Sequence, residues 1–251
     1  MGSALAGRAL AEQKRADILA LGSLADRVVA VCGWLRDSLI ANGLDPEHVV
    51  LSRQGVAAAS APATVRPSRD VGPLRVGYLG RITSVKGLDV LVRAALKAAE
   101  QCQLELYVAG ATQNAEDVEY LARVRAESDG CGAIHWVGAL DAQQRDAFLA
   151  GIDILAVPSV LLETGPLVVL EAHAAGVPVL GSDLGGIAEL ITHGRDGLLV
   201  RHGDVSSWTQ ELVHCARDRE LLAALRSGIR PVRTTGEVVQ DMLRVYRDIS
   251  E

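Results

Sequence analysis

The feature that most constrains this chain is a series of short apolar, β-rich runs that alternate with helical patterns from Leu74 to Val200. The runs are Leu74–Gly80, Leu104–Gly110, Ile134–Gly138, Asp153–Ser159, Pro178–Asp183 and Gly197–Val200. Strands separated by helices of about 10–15 residues predict an α/β fold with a doubly wound parallel sheet. The runs are almost continuously apolar rather than alternating, as expected of strands covered by helices on both faces.

The flanks read differently. A helix is predicted from Ala4 to Leu21, a strand at Arg27–Val31, a helix from Trp34 to Asn42 and a strand at His48–Ser52. From Ala57 to Pro73 small residues and prolines replace any hydrophobic period, which is the composition of a linker. Residues 236–251 place Val238, Val239, Met242, Leu243, Tyr246 and Ile249 at helical spacing, with Gln240, Asp241, Arg244, Arg247 and Asp248 opposite. The chain is thus divided into a helix–strand–helix–strand segment at 1–56, which the resemblance described below implies is a partial domain, a linker at 57–73, a sheet domain at 74–235 and an amphipathic closing helix at 236–251.

Composition narrows the function. A net charge of -6 with scattered basic residues argues against a nucleic-acid partner. Cys32, Cys102, Cys131 and Cys215 form no CxxC pair, and the six histidines show no metal-ligand spacing, so neither a metal nor a redox site is expected. No stretch reaches the roughly 18 apolar residues of a membrane span, and the N-terminus has no secretory pattern, so a reduced cytoplasmic protein is expected.

In open parallel sheets ligands bind beyond the carboxyl ends of the strands. After the first predicted strand of the sheet domain, Gly80-Arg81-Ile82-Thr83-Ser84-Val85-Lys86-Gly87 puts two cations on one loop, suited to a pyrophosphate but equally to a solvated surface. The loop matches neither the G-x-G-x-x-G nor the Walker pattern. After the fourth strand, a helix is predicted to start at Pro166 and end near Gly176, with its free N–H groups facing the strand ends. Glu163 lies before that helix and Glu171 within it. Carboxylates repel phosphate, so beside an anion site they fit hydroxyl groups, such as those of a sugar or ribose. The bland alternatives are a helix-surface carboxylate for Glu171 and a charge favoured by the helix dipole for Glu163.

In combination these motifs resemble the family-4, or group 1, retaining glycosyltransferases of the GT-B fold, whose two domains are Rossmann-like. The resemblance rests on Gly80–Gly87, the Glu163/Glu171 pair, Leu170–Val179, Ser182–Glu189 and the Gly194–Val200 stretch, and it covers about Leu74 to Gly203 in order. It implies that Arg81 and Lys86 bind the donor pyrophosphate, that Glu163 holds the transferred sugar and that Glu171 holds the ribose. Arg81, Lys86 and Glu163 would be the catalytic set. Gly80, the backbone at Gly138, Ala139 and Leu140, beside which the base would sit, and the segment Gly165, Pro166, Leu167 and Val168 would complete the donor site. No cofactor or essential metal is implied. The implied partners are a UDP- or GDP-sugar and a sugar, lipid-linked or small-molecule acceptor, with peripheral membrane association possible for the intact enzyme.

Two departures qualify the resemblance. Where the family commonly reads E-[SG]-F-G-L, this chain has Glu163-Thr164-Gly165-Pro166-Leu167, and proline has no N–H to offer. The usual Pro-Asn-Gly before the linker is Arg53-Gln54-Gly55. His173 is read as a packing residue, and Asp183 and Glu189 as either facing the cleft or forming a turn plus a helix-start carboxylate, with Gly185 and Gly186 shaping that loop for close approach. Only about 56 residues precede the linker, so the chain is expected to be the donor-binding half of an enzyme. The rivals are a non-catalytic nucleotide-sugar-binding module and a GT-B-fold nucleotide-sugar epimerase.

Overall fold

The computed structural model describes residues 2–57 and 72–250, with side chains from Gly7 onward. Most of the expected linker, 58–71, lies outside the described residues. The N-terminal portion contains α1 (Gly2–Leu24), β1 (Val28–Ala30), α2 (Gly33–Ala41) and β2 (Val49–Leu51), with β1 and β2 paired in parallel. Its small core is built on Ala30, Leu44 and Val49.

The larger unit is a six-stranded parallel sheet. In chain order its elements are β3 (Leu74–Leu79), α3 (Leu88–Ala99), β4 (Leu104–Ala109), α4 (Ala115–Glu127), β5 (Ile134–Gly138), α5 (Ala142–Gly151), β6 (Ile154–Val157), α6 (Leu167–Ala174), β7 (Val179–Ser182), α7 (Gly185–Leu190) and β8 (Gly197–Val200), followed by α8 (Val205–Arg217) and α9 (Arg219–Gly228). The strand order is β5-β4-β3-β6-β7-β8, the doubly wound order expected of a Rossmann-like domain.

Strand pleating divides the core in two. Ile154 and Ala156 of β6 point to one face with Leu180 and Leu198, where α3, α4, α8 and α9 contribute Leu91, Val124, Trp208 and Leu225. Leu155 and Val157 point to the other, against Leu149, Val169 and Ile187 of α5, α6 and α7. Burial on both faces explains why the strands read as continuous apolar runs.

Helix lengths follow local chemistry. α6 and α7 are shorter than expected, at 8 and 6 residues. The predicted start of α6 at Pro166 moves by one: Pro166 is the N-cap, and Leu167 is the first helical residue.

The closing helix, α10 (Thr235–Ser250), departs from its predicted face. Val245 is its buried residue, whereas Tyr246 and Ile249 are exposed. Asp241, assigned by periodicity to the polar side, is half-buried in an ion pair with Arg233. That pair and the parallel bridge between Val56 and Thr234 set how the helix is rolled.

The N-terminal portion is held to the sheet domain by polar contacts. Glu189 of α7 caps α2, accepting from Gly33 N at 2.8 Å and Trp34 N at 2.7 Å while pairing with Arg53 at 2.8 Å. This corrects the cleft-facing alternative for Glu189: its carboxylate is spent on the helix start. Asp183 likewise accepts from the His202 N–H at 2.9 Å.

Burial by itself would raise the Glu189 carboxyl, but the Trp34 and Gly33 N–H groups and Arg53 together hold it below its ordinary value of 4.5. A carboxyl lowered on folding contributes stability that is present above its unfolded value and is lost as pH falls through the folded one. Glu189→Ala is therefore expected to cost about 1–2 kcal/mol near neutral pH. The gap from wild type should shrink below pH 4.5 in thermal melts across pH; a gap independent of pH would contradict the assignment.

Candidate functional site: a carboxylate and cation crevice at the strand-order reversal

Strand order reverses between β3 and β6, so the loops leaving these neighbours diverge and open a crevice at the sheet's carboxyl edge. The Gly80–Gly87 loop leaves β3, and the Pro158–Pro166 loop leaves β6. They are stitched together by Ser159 Oγ and Val160 N, both donating to Val85 O at 3.0 Å. Gly87 permits this contact. Its φ is +67°, and a Cβ there would lie 2.1 Å from Pro158 O.

Across the crevice Lys86 Nζ donates to Glu163 Oε2 at 2.6 Å. The Glu163 side chain is 11% exposed, and its other oxygen, Oε1, is buried with no partner among the described residues. Arg81 lies elsewhere in the loop, donating from Nη1 to Gln113 Oε1 at 3.0 Å. Its carbonyl accepts from Tyr78 Oη at 2.7 Å. Burial, with the neighbouring Tyr120 and Glu163 adding to it, pushes the Tyr78 phenol far above its ordinary range, so it stays a protonated donor.

Glu171 is anchored in the same style. Its Oε1 lies 3.1 Å from Arg145 Nη1, on the first turn of α5, and Oε2 has no partner among the described residues. The repulsion that two carboxylates would exert on a phosphate is thereby reduced, because each is neutralised by its own cation.

α6 begins between these carboxylates. Pro166 is buried at the N-cap, and Val169 N bonds Pro166 O at 3.1 Å. Among the described residues, the Leu167 and Val168 N–H groups have no acceptor and remain open donors at the helix start. Because the proline sits before the first helical residue, its missing N–H removes none of the helix's own first-turn donors.

The segment from Glu163 to Gly165 is gripped from two sides. Glu163 O accepts from Gly186 N at 2.7 Å and from Trp34 Nε1 at 2.9 Å. A Cβ at Gly186 would meet Glu163 O at 2.6 Å, which accounts for the close approach expected of the glycine pair. Gln54 reaches the same segment from the N-terminal portion, its Oε1 buried without a partner. His173 is buried, its Nε2 3.1 Å from Asp196 O, and burial lowers it below the ordinary imidazole value. That is the packing role expected of it.

Gly138, the last residue of β5, accepts through its carbonyl from Gly110 N at 2.8 Å, and Leu140 directly precedes Asp141, which caps α5. Sequence reasoning missed Trp34, Gln54, Gln113 and Arg145. Arg145 left one faint signal, a cation in the first turn of a helix, where the dipole disfavours it.

The sheet order defines a Rossmann-like class of domain, and the chain belongs to the group 1 glycosyl transferase family: residues 73–218 match the family described as "Glycosyl transferases group 1". The alpha-maltose-1-phosphate synthase of Mycolicibacterium smegmatis is 31% identical over 90% of this chain and 64% of its own length. The D-inositol 3-phosphate glycosyltransferase of Stackebrandtia nassauensis is 31% identical over 81% of this chain and 49% of its own. The chain therefore spans about half to two thirds of these curated relatives. Among solved structures, Anabaena HepE in complex with UDP and glucose superimposes with a TM-score of 0.77 at 19% identity, covering 93% of this chain and 67% of that one. Sucrose-phosphate synthase of Thermosynechococcus elongatus gives 0.77 at 20% identity, over 92% and 61%. These neighbours share the GT-B fold.

Gly87 offers a test of the crevice's backbone. Gly87→Ala is expected to destabilise by about 1–3 kcal/mol through the left-handed conformation alone, more with the contact to Pro158. The urea midpoint should fall accordingly, and an unchanged midpoint would contradict the stitched-loop geometry.

Proposed function

We propose that the chain is the donor-binding half of a retaining glycosyltransferase that moves a hexosyl group from a UDP- or GDP-sugar to an acceptor hydroxyl. The observation that carries this reading is the Glu163 carboxylate, with one oxygen on Lys86 and the other buried and unpartnered. A buried acceptor left unpaired costs about 1–3 kcal/mol, and a sugar hydroxyl entering the crevice removes that cost. Glu171, anchored through one oxygen by Arg145, accepts the ribose in the same way.

Arg81, the remaining N–H groups of Lys86, and the open N–H groups of Leu167 and Val168 then surround the pyrophosphate. As the glycosidic bond lengthens, negative charge gathers on the departing nucleoside diphosphate, and these donors stabilise it without reorganising. In this reading no metal is required, because the protein supplies the positive charge. The UDP complex of HepE supports a nucleotide-bearing donor, and the name of the D-inositol 3-phosphate glycosyltransferase supports glycosyl transfer. The acceptor is a sugar, a lipid-linked or a small-molecule hydroxyl, and the intact enzyme works in the cytoplasm, with peripheral membrane association if that acceptor is a lipid. No described helix is long and apolar enough to cross a membrane.

Calorimetric titration with UDP, GDP, ADP and their sugars tests the reading. At least one nucleoside diphosphate should bind, and no binding up to millimolar concentration ends it. Arg81→Ala is expected to weaken the diphosphate about 10- to 100-fold, the worth of a charge-assisted hydrogen bond, while leaving the bare nucleoside unaffected. Glu163→Ala should weaken the sugar-bearing donor more than the free nucleotide.

A further inference from the structure

The geometry points to Arg145 as a positioning residue for the nucleoside end of the donor site: it holds Glu171 so that one carboxylate oxygen is presented to the ribose hydroxyls. The inference rests on the donor-site reading above and extends it to a residue that the sequence motifs do not mark.

Three observations carry it. First, the pairing crosses elements. Arg145 Nη1 lies 3.1 Å from Glu171 Oε1, whereas the adjacent Asp146 carboxylate is 3.9 Å away and almost wholly solvated. A guanidinium in water gains little from either partner, so selection of the less exposed carboxylate on the neighbouring helix indicates a built contact. Second, Arg145 stands where a cation is poorly placed for helix stability, on the first turn of α5 near the positive end of its dipole. The capping box of Asp141 and Gln144 fixes that turn directly after the Gly138–Leu140 segment, which the resemblance assigns to the base. Arg145 thus sits between the expected base and ribose positions. Third, the network is incomplete. Arg145 Nε is buried with no acceptor, and Glu171 Oε2 has no donor among the described residues.

A ribose hydroxyl has the chemistry that such a network lacks, because a hydroxyl both donates and accepts. It donates to Glu171 Oε2, and its lone pairs face a guanidinium that has five N–H donors and no acceptor. The planar fork also fixes the carboxylate's rotation, which an ammonium's point charge does not. Without Arg145, Glu171 turns freely toward solvent, and hydroxyl recognition weakens even though the carboxylate remains.

The test is the ratio of affinities for a nucleoside diphosphate and its 2′,3′-dideoxy counterpart. It uses whichever of UDP, GDP and ADP binds the wild-type chain most tightly. The wild type should prefer the ribonucleotide by about tenfold or more, the worth of a hydrogen bond to a charged group. Arg145→Met should bring the ratio close to one, Arg145→Lys should give an intermediate ratio, and Glu171→Gln should lower it as well. A contact that merely supports α5 would weaken both nucleotides equally and leave the ratio unchanged. An unchanged ratio in a folded Arg145→Met variant, with Glu171→Gln lowering it, overturns the role of Arg145 and leaves the donor site standing. If Arg145→Met does not fold, Arg145→Lys decides, and a wild-type ratio there overturns the inference. Failure of the wild type to bind any of the three nucleotides removes the donor-site reading and this inference with it.

Discussion

The ion pair between Lys86 and Glu163 is the interaction on which the rest of the site depends. It spans two loops that leave neighbouring strands at the point where strand order reverses, and it uses one carboxylate oxygen while leaving the other buried and unmet. Removing either partner would strand a largely buried charge, and both loops that carry the pair are also fixed by backbone contacts. Gly87 lets the lysine turn press against Pro158, Ser159 and Val160 lock onto Val85 O, and Gly186 lets α7 close on Glu163 O.

Anchoring a carboxylate through one oxygen recurs at Glu171, and under the proposed donor-site reading the repetition explains how a site for anions would tolerate two acids. Each negative charge is cancelled locally, and each carboxylate is turned into an oriented hydrogen-bond acceptor rather than a repulsive centre. In the proposed reading, positive charge from Arg81 and the helix start is what a ligand phosphate would meet. The N-terminal portion takes part directly, since Trp34 donates to Glu163 O and the start of α2 is capped by Glu189. The segment bearing the central carboxylate is therefore set by both parts of the chain.

The six strands were legible because burial on both faces demands apolar residues at nearly every position, and that demand is written in consecutive residues. The charged loops were legible as motifs, through Arg81, Lys86, Glu163 and Glu171 at recognisable spacing. The roll of α10 was not. Its periodic apolar face is partly solvated, and Asp241, read as a surface residue, turns inward to Arg233. Periodicity reports that a helix has a face, whereas a single ion pair with a distant residue can decide where that face points.

Local order in the chain determined the sheet class, the glycine-dependent turns, the start of α6 to within one residue, and the acidic and basic groups that gather at the carboxyl edge. Tertiary structure alone decided which cation meets which carboxylate. Lys86 is 77 residues from Glu163, and Glu189 is 155 residues from the Trp34 N–H that it caps. Spacing along the chain carries no information about such pairs, because their partners are chosen by how α5, α6 and α7 pack against the sheet and against α2. Arg145 shows the limit most clearly: in sequence it is one arginine on a helix, and packing makes it the partner of Glu171.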